Sequence, residues 1–167
     1  FAQFVENGCR LIISEPKTLQ LINTFHLTEF LGQGWSEEDH DVREDELTEI
    51  DFTKVKFETC LEGDETSITG EEKLKRMIAS NNIRLGGKTF SNLWLDYQAN
   101  KENSVLEYLY RTQKVTYLDF FGLILRGPDG GRRVLCLYRD DDGQWYWDYR
   151  WLDVGWSAGD RSVSLAN

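Results

Sequence analysis

A chain of 167 residues, 40% hydrophobic and 13% aromatic, is long enough to bury a core and too apolar to be disordered. Its formal net charge of −10 argues against nucleic acid and anionic membrane as partners, because both are recognised by basic surfaces. No apolar run reaches the roughly 18 residues of a membrane span, so membrane insertion is not expected.

The start at Phe1 carries no basic segment followed by an apolar one. No signal peptide is therefore predicted, and a cytoplasmic location is the default expectation. Cys9, Cys60 and Cys136 are scattered and odd in number, which predicts buried free thiols rather than a disulfide framework. No P-loop, GxGxxG, GxSxG, HExxH or zinc-finger spacing occurs, and no cofactor is expected.

In chain order, Phe4 to Ser14 reads as one strand ending in the β-branched pair Ile12-Ile13. Pro16 suits the first turn of a helix in which Leu19, Ile22, Phe25 and Phe30 follow near helical spacing, with Gly32 as its cap. His26 beside this stripe is expected to be structural. Trp35 to Glu49 is an acidic run around His40, predicted as a solvated loop or helix. Glu38, Asp39, His40 and Asp41 are metal-ligand types, yet they lack the alternate-residue spacing, central Gly and closing Glu of a calcium loop.

Lys54–Cys60 alternates like a strand. Thr69-Gly70-Glu71-Glu72 has the form of a capping box and opens a helix to about Ser80, with Leu74, Met77 and Ile78 on one face. Phe90, Leu93, Trp94 and Tyr97 predict a second helix, and Asn103-Ser104 caps a third carrying Val105, Leu106, Leu109 and Tyr110.

Residues 117–167 are the most informative stretch. Four of the six tryptophans (Trp145, Trp147, Trp151, Trp156) fall there, and two turn signals, Gly127-Pro128-Asp129-Gly130-Gly131 and Asp141-Asp142-Gly143, divide it. Three antiparallel strands are predicted, at about 115–126, 132–140 and 144–152. A two-residue Asp142-Gly143 turn would set Val134, Cys136 and Tyr138 against the tryptophans. A three-residue loop with Gly143 left-handed sets Leu135 and Leu137 there instead, and is preferred. It puts Leu135 and Leu137 with the tryptophans and leaves Tyr138, Tyr146, Asp148 and Arg150 together on an outer binding face; the tryptophans are expected in the core. The whole reads as a single α+β domain, 1–167. Residues 1–116 form a mixed strand and helix scaffold, and 117–167 a Trp-rich antiparallel meander that carries the binding face.

Several stretches resemble one family. They are Gly70-Glu71-Glu72-Lys73-Leu74-Lys75-Arg76, Ile83-Arg84-Leu85 with Phe90, Leu93 and Trp94, Phe120-Phe121-Gly122 through Gly130, and the Trp-rich tail to Ala166. This group of proteins from small uncultivated bacteria has C-terminal segments similar to the variable regions of diversity-generating retroelements. The resemblance covers about residues 50–167. It implies a C-type-lectin-like fold and a C-terminal segment rewritten by adenine-directed mutagenesis, in which template Asn codons become codons for many residues but never Trp, Lys or Glu. Residues 118–167 contain no Lys and no Glu. The tail lacks the GGSW and GFR pieces of the commonest lectin-fold variable proteins.

On this reading Tyr138, Arg139, Asp140, Tyr146, Asp148, Arg150, Asp153, Ser157, Asp160 and Arg161 bind a ligand, and the tryptophans are a fixed scaffold. The ligand is a protein or a glycan. The competing reading is a carboxylate-dependent glycoside hydrolase using Asp140, Asp141, Asp142 and Asp148. Three aspartates before a Gly are more simply a turn, and no His stands near them in sequence.

Overall fold

The computed structural model describes residues 17–167 in full, and residues 2–5 and 10–13 as backbone strands. Those two strands, β1 (Ala2–Val5) and β2 (Arg10–Ile13), pair antiparallel with Ala2 opposite Ile13, where the sequence suggested one continuous strand. Cys9, Ser14 and Pro16 lie outside the described residues.

The helix expected after Pro16 shrinks to α1 (Leu27–Leu31), closed by Gly32 at φ +80°, whose N–H reaches Thr28 O at 2.9 Å. Before it, β3 (Thr18–Gln20) buries Leu19, and Leu21 follows it inward while Ile22 is 82% exposed. Period-two burial won over the helical spacing because β5 (Glu49–Asp51) supplies a partner, with Leu19 opposite Ile50. His26 precedes α1 on the surface, not among the apolar residues.

The acidic run forms β4 (Ser36–His40) and a 3-10 turn over 42–46, not a free loop. Then come β6 (Lys56–Glu58), β7 (Ser67–Thr69) and α2 (Gly70–Ala79). Half of the capping box forms: Thr69 Oγ1 accepts the N–H of Glu72 at 3.2 Å, while the Glu72 carboxylate accepts from Arg76 instead of from Thr69 N. Leu74 and Met77 are buried, but Ile78 faces solvent at 53% exposure.

β8 (Ile83–Arg84) leads to α3 (Gly87–Ala99), and Ser104 caps α4 (Val105–Gln113). Gly86 offers α3 no capping side chain. Buried Glu44 does so from a distance, its Oε1 accepting from Gly86 N, Thr89 N and Thr89 Oγ1 at 2.9, 2.8 and 2.6 Å.

The predicted C-terminal strands appear as β9 (Tyr117–Arg126), β10 (Arg132–Arg139) and β11 (Trp145–Trp151), an antiparallel meander. The meander ends there. β12 (Gly155–Ser157) leaves to pair with β7, and β13 (Arg161–Leu165) returns to lie parallel to β9. The main sheet runs β11-β10-β9-β13-β6, with β4 also on β9 and β8 also on β13.

One edge of β9 therefore serves two neighbours: Leu118 and Asp119 pair with β13, and Leu123 to Arg126 pair with β4. Gly122 sits at the changeover. A Cβ there would fall 2.2 Å from Arg84 O, so only glycine lets β8 approach this closely.

The sheet is covered on both faces. α3 and α4 pack Phe90, Leu93, Leu106 and Leu109 against Leu118, Phe120, Leu135, Leu137 and Trp145. On the other face α2 and β12 bring Leu74, Met77 and Trp156 onto Phe121, Ile124 and Val134. The architecture is α+β, with the sheet between two layers.

Candidate functional site

The β10–β11 hairpin is built by its turn. Gly143 stands at φ +79°, its N–H reaches Asp140 O at 3.0 Å, and Asp140 N reaches Gln144 O at 2.9 Å. Asp140 Oδ1 accepts from Asp141 N, and Asp142 Oδ1 accepts from Gln144 N. The aspartates thus serve the turn's own backbone, as short polar side chains do there. The register is that of the three-residue loop: Leu137 faces Trp147 and Leu135 faces Tyr149.

The four tryptophans do not share one core. Trp145, 1% exposed, gives its Nε1–H to Glu107 Oε2 at 2.9 Å and its backbone N–H to Tyr97 Oη at 3.0 Å. Burial alone would raise the Glu107 carboxyl, but hydrogen bonds from Arg139 and Trp145 bring it below its ordinary value. Trp147 is half-buried, edge-on to Phe30 and Phe90. Tyr149 and Trp151 emerge at 37% and 38% exposure, and the α3–α4 layer covers only the hairpin's turn end. Trp156 is fully buried, but on the opposite face of the sheet, against Phe121.

Where β11 emerges, the aromatics surround one arginine. The Arg133 guanidinium lies 3.5 Å from the Trp151 ring centre, 5.0 Å from Trp35 and 5.3 Å from Tyr149. Asp129 holds it with contacts of 2.9 and 2.5 Å. Arg133 itself is only 4% exposed, so the rings form a shelf over a fixed cation. Gly131 admits the Trp151 ring, since a Cβ there would fall 2.2 Å from it. Of these residues, Tyr149 and Trp151 belong to the edge strand β11 and the others come from elsewhere, and none of the shelf was singled out for binding by the sequence. Alternation along β11 marks one face as apolar but does not say where the cover stops.

The expected outer face is partly occupied. Tyr138 stacks on Tyr146 at 5.8 Å, Tyr146 Oη donates to Asp142, and Tyr146 and Asp148 are exposed. Arg150 is not free. It pairs with Asp160 at 2.6 Å, donates to Gly155 O, and lies 4.2 Å from the Trp156 ring. Asp160 also accepts from Ser157 N at 2.7 Å. Arg139 forms a two-point pair with Glu107 at 3.0 Å and stacks on Tyr110. Arg139, Arg150 and Asp160 are thus committed to internal ion pairs, and Arg161 is half-buried in β13. Asp140, Asp153 and Ser157 are exposed, Asp153 in the turn after β11 and Ser157 at the end of β12.

The acidic run does not gather into a metal site. Glu38 binds Arg126 and Arg132, which hold its carboxyl below the usual range. Asp39 pairs with Arg84 at 3.2 Å, and Asp41 pairs with Arg43 at 2.7 Å. Among the described residues no group of three His, Cys, Asp or Glu side chains is placed to hold a metal. His40 instead lines a cleft of about 380 Å³ with Glu37, Asp45, Lys88, Phe25 and Leu123. Its Nε2 is 2.9 Å from Asp45 Oδ1 and its Nδ1 is 3.6 Å from Glu37 Oε1. The Lys88 ammonium is turned onto the carbonyls of Asp45 and Leu47.

Among the described residues no helix is long and apolar enough to cross a membrane. Compared with known proteins, the chain matches no family model, no curated protein and no solved structure.

Proposed function

We propose that the chain is a non-catalytic recognition module whose ligand, a protein surface or a glycan, docks on the open end of the β10–β11 hairpin and the neighbouring 152–160 segment. The observation that carries this reading is the exposure of Tyr149 and Trp151 on a strand whose backbone is fixed in a sheet. Large rigid aromatics beside polar groups make contacts at low entropic cost, and Trp and Arg anchor interfaces disproportionately. Asp153 and Val154 before β12, and Ser157 at its end, add exposed positions in a segment tied down by Trp156 and the Arg150–Asp160 pair.

The same proposal includes the C-type-lectin-like scaffold and the variable-protein role that the sequence resemblance implies. Its support here is a division of labour. Trp145 and Trp156 are buried, while Tyr146, Asp148, Tyr149, Asp153 and Ser157 are exposed and replaceable.

The DNA encoding about residues 120–165 tests the retroelement role. A near-copy beside a reverse-transcriptase gene is expected, with mismatches confined to adenines and concentrated in codons for the exposed positions. No copy, or mismatches at all four bases, removes that role. The shelf itself is tested by Tyr149→Ala/Trp151→Ala on a panel of immobilised glycans and bacterial surface proteins. Unchanged binding of any hit by the folded double variant would place the ligand elsewhere.

A further inference from the structure

Beneath Trp156 two opposite charges are sealed off from water. Lys73 comes from α2 and Asp119 from β9, and both side chains are 0% exposed. The Lys73 Nζ is 3.8 Å from Asp119 Oδ2, too far for a hydrogen bond. It donates to the Asp160 carbonyl at 2.5 Å and lies 5.6 and 5.4 Å from the ring centres of Phe121 and Trp156. Neither carboxylate oxygen of Asp119 has a donor in good hydrogen-bond geometry; the Tyr117 hydroxyl, Arg150 and Asp160 are the other polar groups around it.

A buried carboxylate with both oxygens unpartnered is an expensive arrangement, and a single ammonium at this distance does not offset its desolvation. Burial pushes the Asp119 carboxyl well up and the Lys73 amine down, so each group is driven toward its neutral form. Moving one proton from nitrogen to oxygen cancels both charges. That transfer would leave a neutral amine beside a carboxylic acid in a site walled by Phe121 and Trp156. That pairing is set up for condensation, because fixed proximity replaces a bimolecular encounter and excluded water disfavours the reverse reaction.

We propose that Lys73 and Asp119 join in an intramolecular isopeptide bond that staples α2 to the central strand of the sheet. The Nζ lone pair attacks Cγ of Asp119 and a C–N bond forms. The C–OH bond breaks, and the hydroxyl leaves as water with a proton from the amine. One amine and one carboxylic acid become one amide and one water, with no oxidant, reductant or cofactor. The amide keeps one N–H, which stays within reach of the Asp160 carbonyl that Nζ already contacts. One of the two unpartnered oxygens is eliminated.

The test is the intact mass of the purified, folded protein under denaturing conditions, followed by proteolysis and fragment sequencing. The wild type is expected to be lighter than its sequence mass by one water and to yield a branched peptide joining Lys73 to Asp119. Lys73→Met and Asp119→Ala are expected at their full sequence masses. Asp129-Gly130 and Asp142-Gly143 can also lose a water by cyclising on their own backbone, so the branched fragment decides. A wild type of full mass after prolonged incubation, or a water loss mapped to Asp129 or Asp142, would overturn the proposal. Both results are read on the wild type, so neither depends on the variants folding.

Discussion

Asp41→Asn separates the charge of one buried carboxylate from its shape. Asp41 is 6% exposed and ties three elements together. Its Oδ1 accepts from Arg43 Nε at 2.9 Å, and its Oδ2 accepts from Arg43 Nη2 at 2.7 Å and from Arg84 N at 2.9 Å. Burial alone would raise this carboxyl. The hydrogen bonds from Arg43 and Arg84, with the Arg43 charge, outweigh it and bring the pKa from 3.8 down to about 2. The folded value lies below the unfolded one. The ionised group therefore contributes stability that is complete above the unfolded pKa and is lost as pH falls toward the folded one. At about 1.4 kcal/mol per unit, the contribution is roughly 2 kcal/mol. Asparagine keeps the volume and one acceptor oxygen but cannot gain or lose this proton. Urea unfolding of both proteins, from neutral pH downward, should show wild type the more stable at pH 7. The gap should narrow by roughly 2 kcal/mol between about pH 5 and pH 2. Other acids titrate in both proteins and cancel in the difference. Parallel curves across that window would refute the assigned network.

Trp145→Ala should cost about 3–5 kcal/mol in urea unfolding, the range for a buried large aromatic, whereas Trp151→Ala should cost under about 2. Equal losses would mean that the exposed end of β11 is covered. Thr69→Ala should lower stability by about 1 kcal/mol through loss of the α2 cap, with Thr69→Ser restoring most of it; thermal melts of the three proteins would show this. Burial pushes the Cys136 thiol up to about 12, so thiol reagents at mildly alkaline pH should label it only after denaturation. Rapid labelling of Cys136 in the native protein, mapped by peptide mass, would show that the α2–β12 layer opens.

Local signals were read well wherever the physics was local. Thr69 and Ser104 both cap as their spacing suggested, since a side chain satisfying an amide three residues on needs nothing from the rest of the chain. The hairpin register followed from one left-handed glycine. Between Thr18 and Glu49 the structure departs from expectation for the opposite reason, although Gly32 closes α1 as its position suggests. Leu19 is buried because Ile50 lies across from it, and β4 is a strand because β9 accepts it. Glu37 and Glu38 of β4 are exposed, as expected of an acidic run, but Glu38 is neutralised by Arg126 and Arg132, about 90 positions away. The candidate site divides along the same line. Alternation found the exposed Tyr146 and Asp148, but it could not foresee that Arg150 would be drawn down by Asp160 or that Trp151 would rise out of the core onto Arg133.

The divided edge of β9 constrains how the chain can fold. Its second half is paired by β4, which precedes it, but Leu118 and Asp119 wait for Arg161 and Ser162. A nascent chain that has emerged only through β11 has a meander whose first strand, β9, is bare over half of one edge. That bare half carries Asp119. Long-range parallel closure is slow, and an unpaired strand edge is what chaperones and stray strands bind. Removing residues 161–165 should therefore do more than trim a terminus. It should leave the central strand unclosed and the shortened protein prone to pairing with copies of itself.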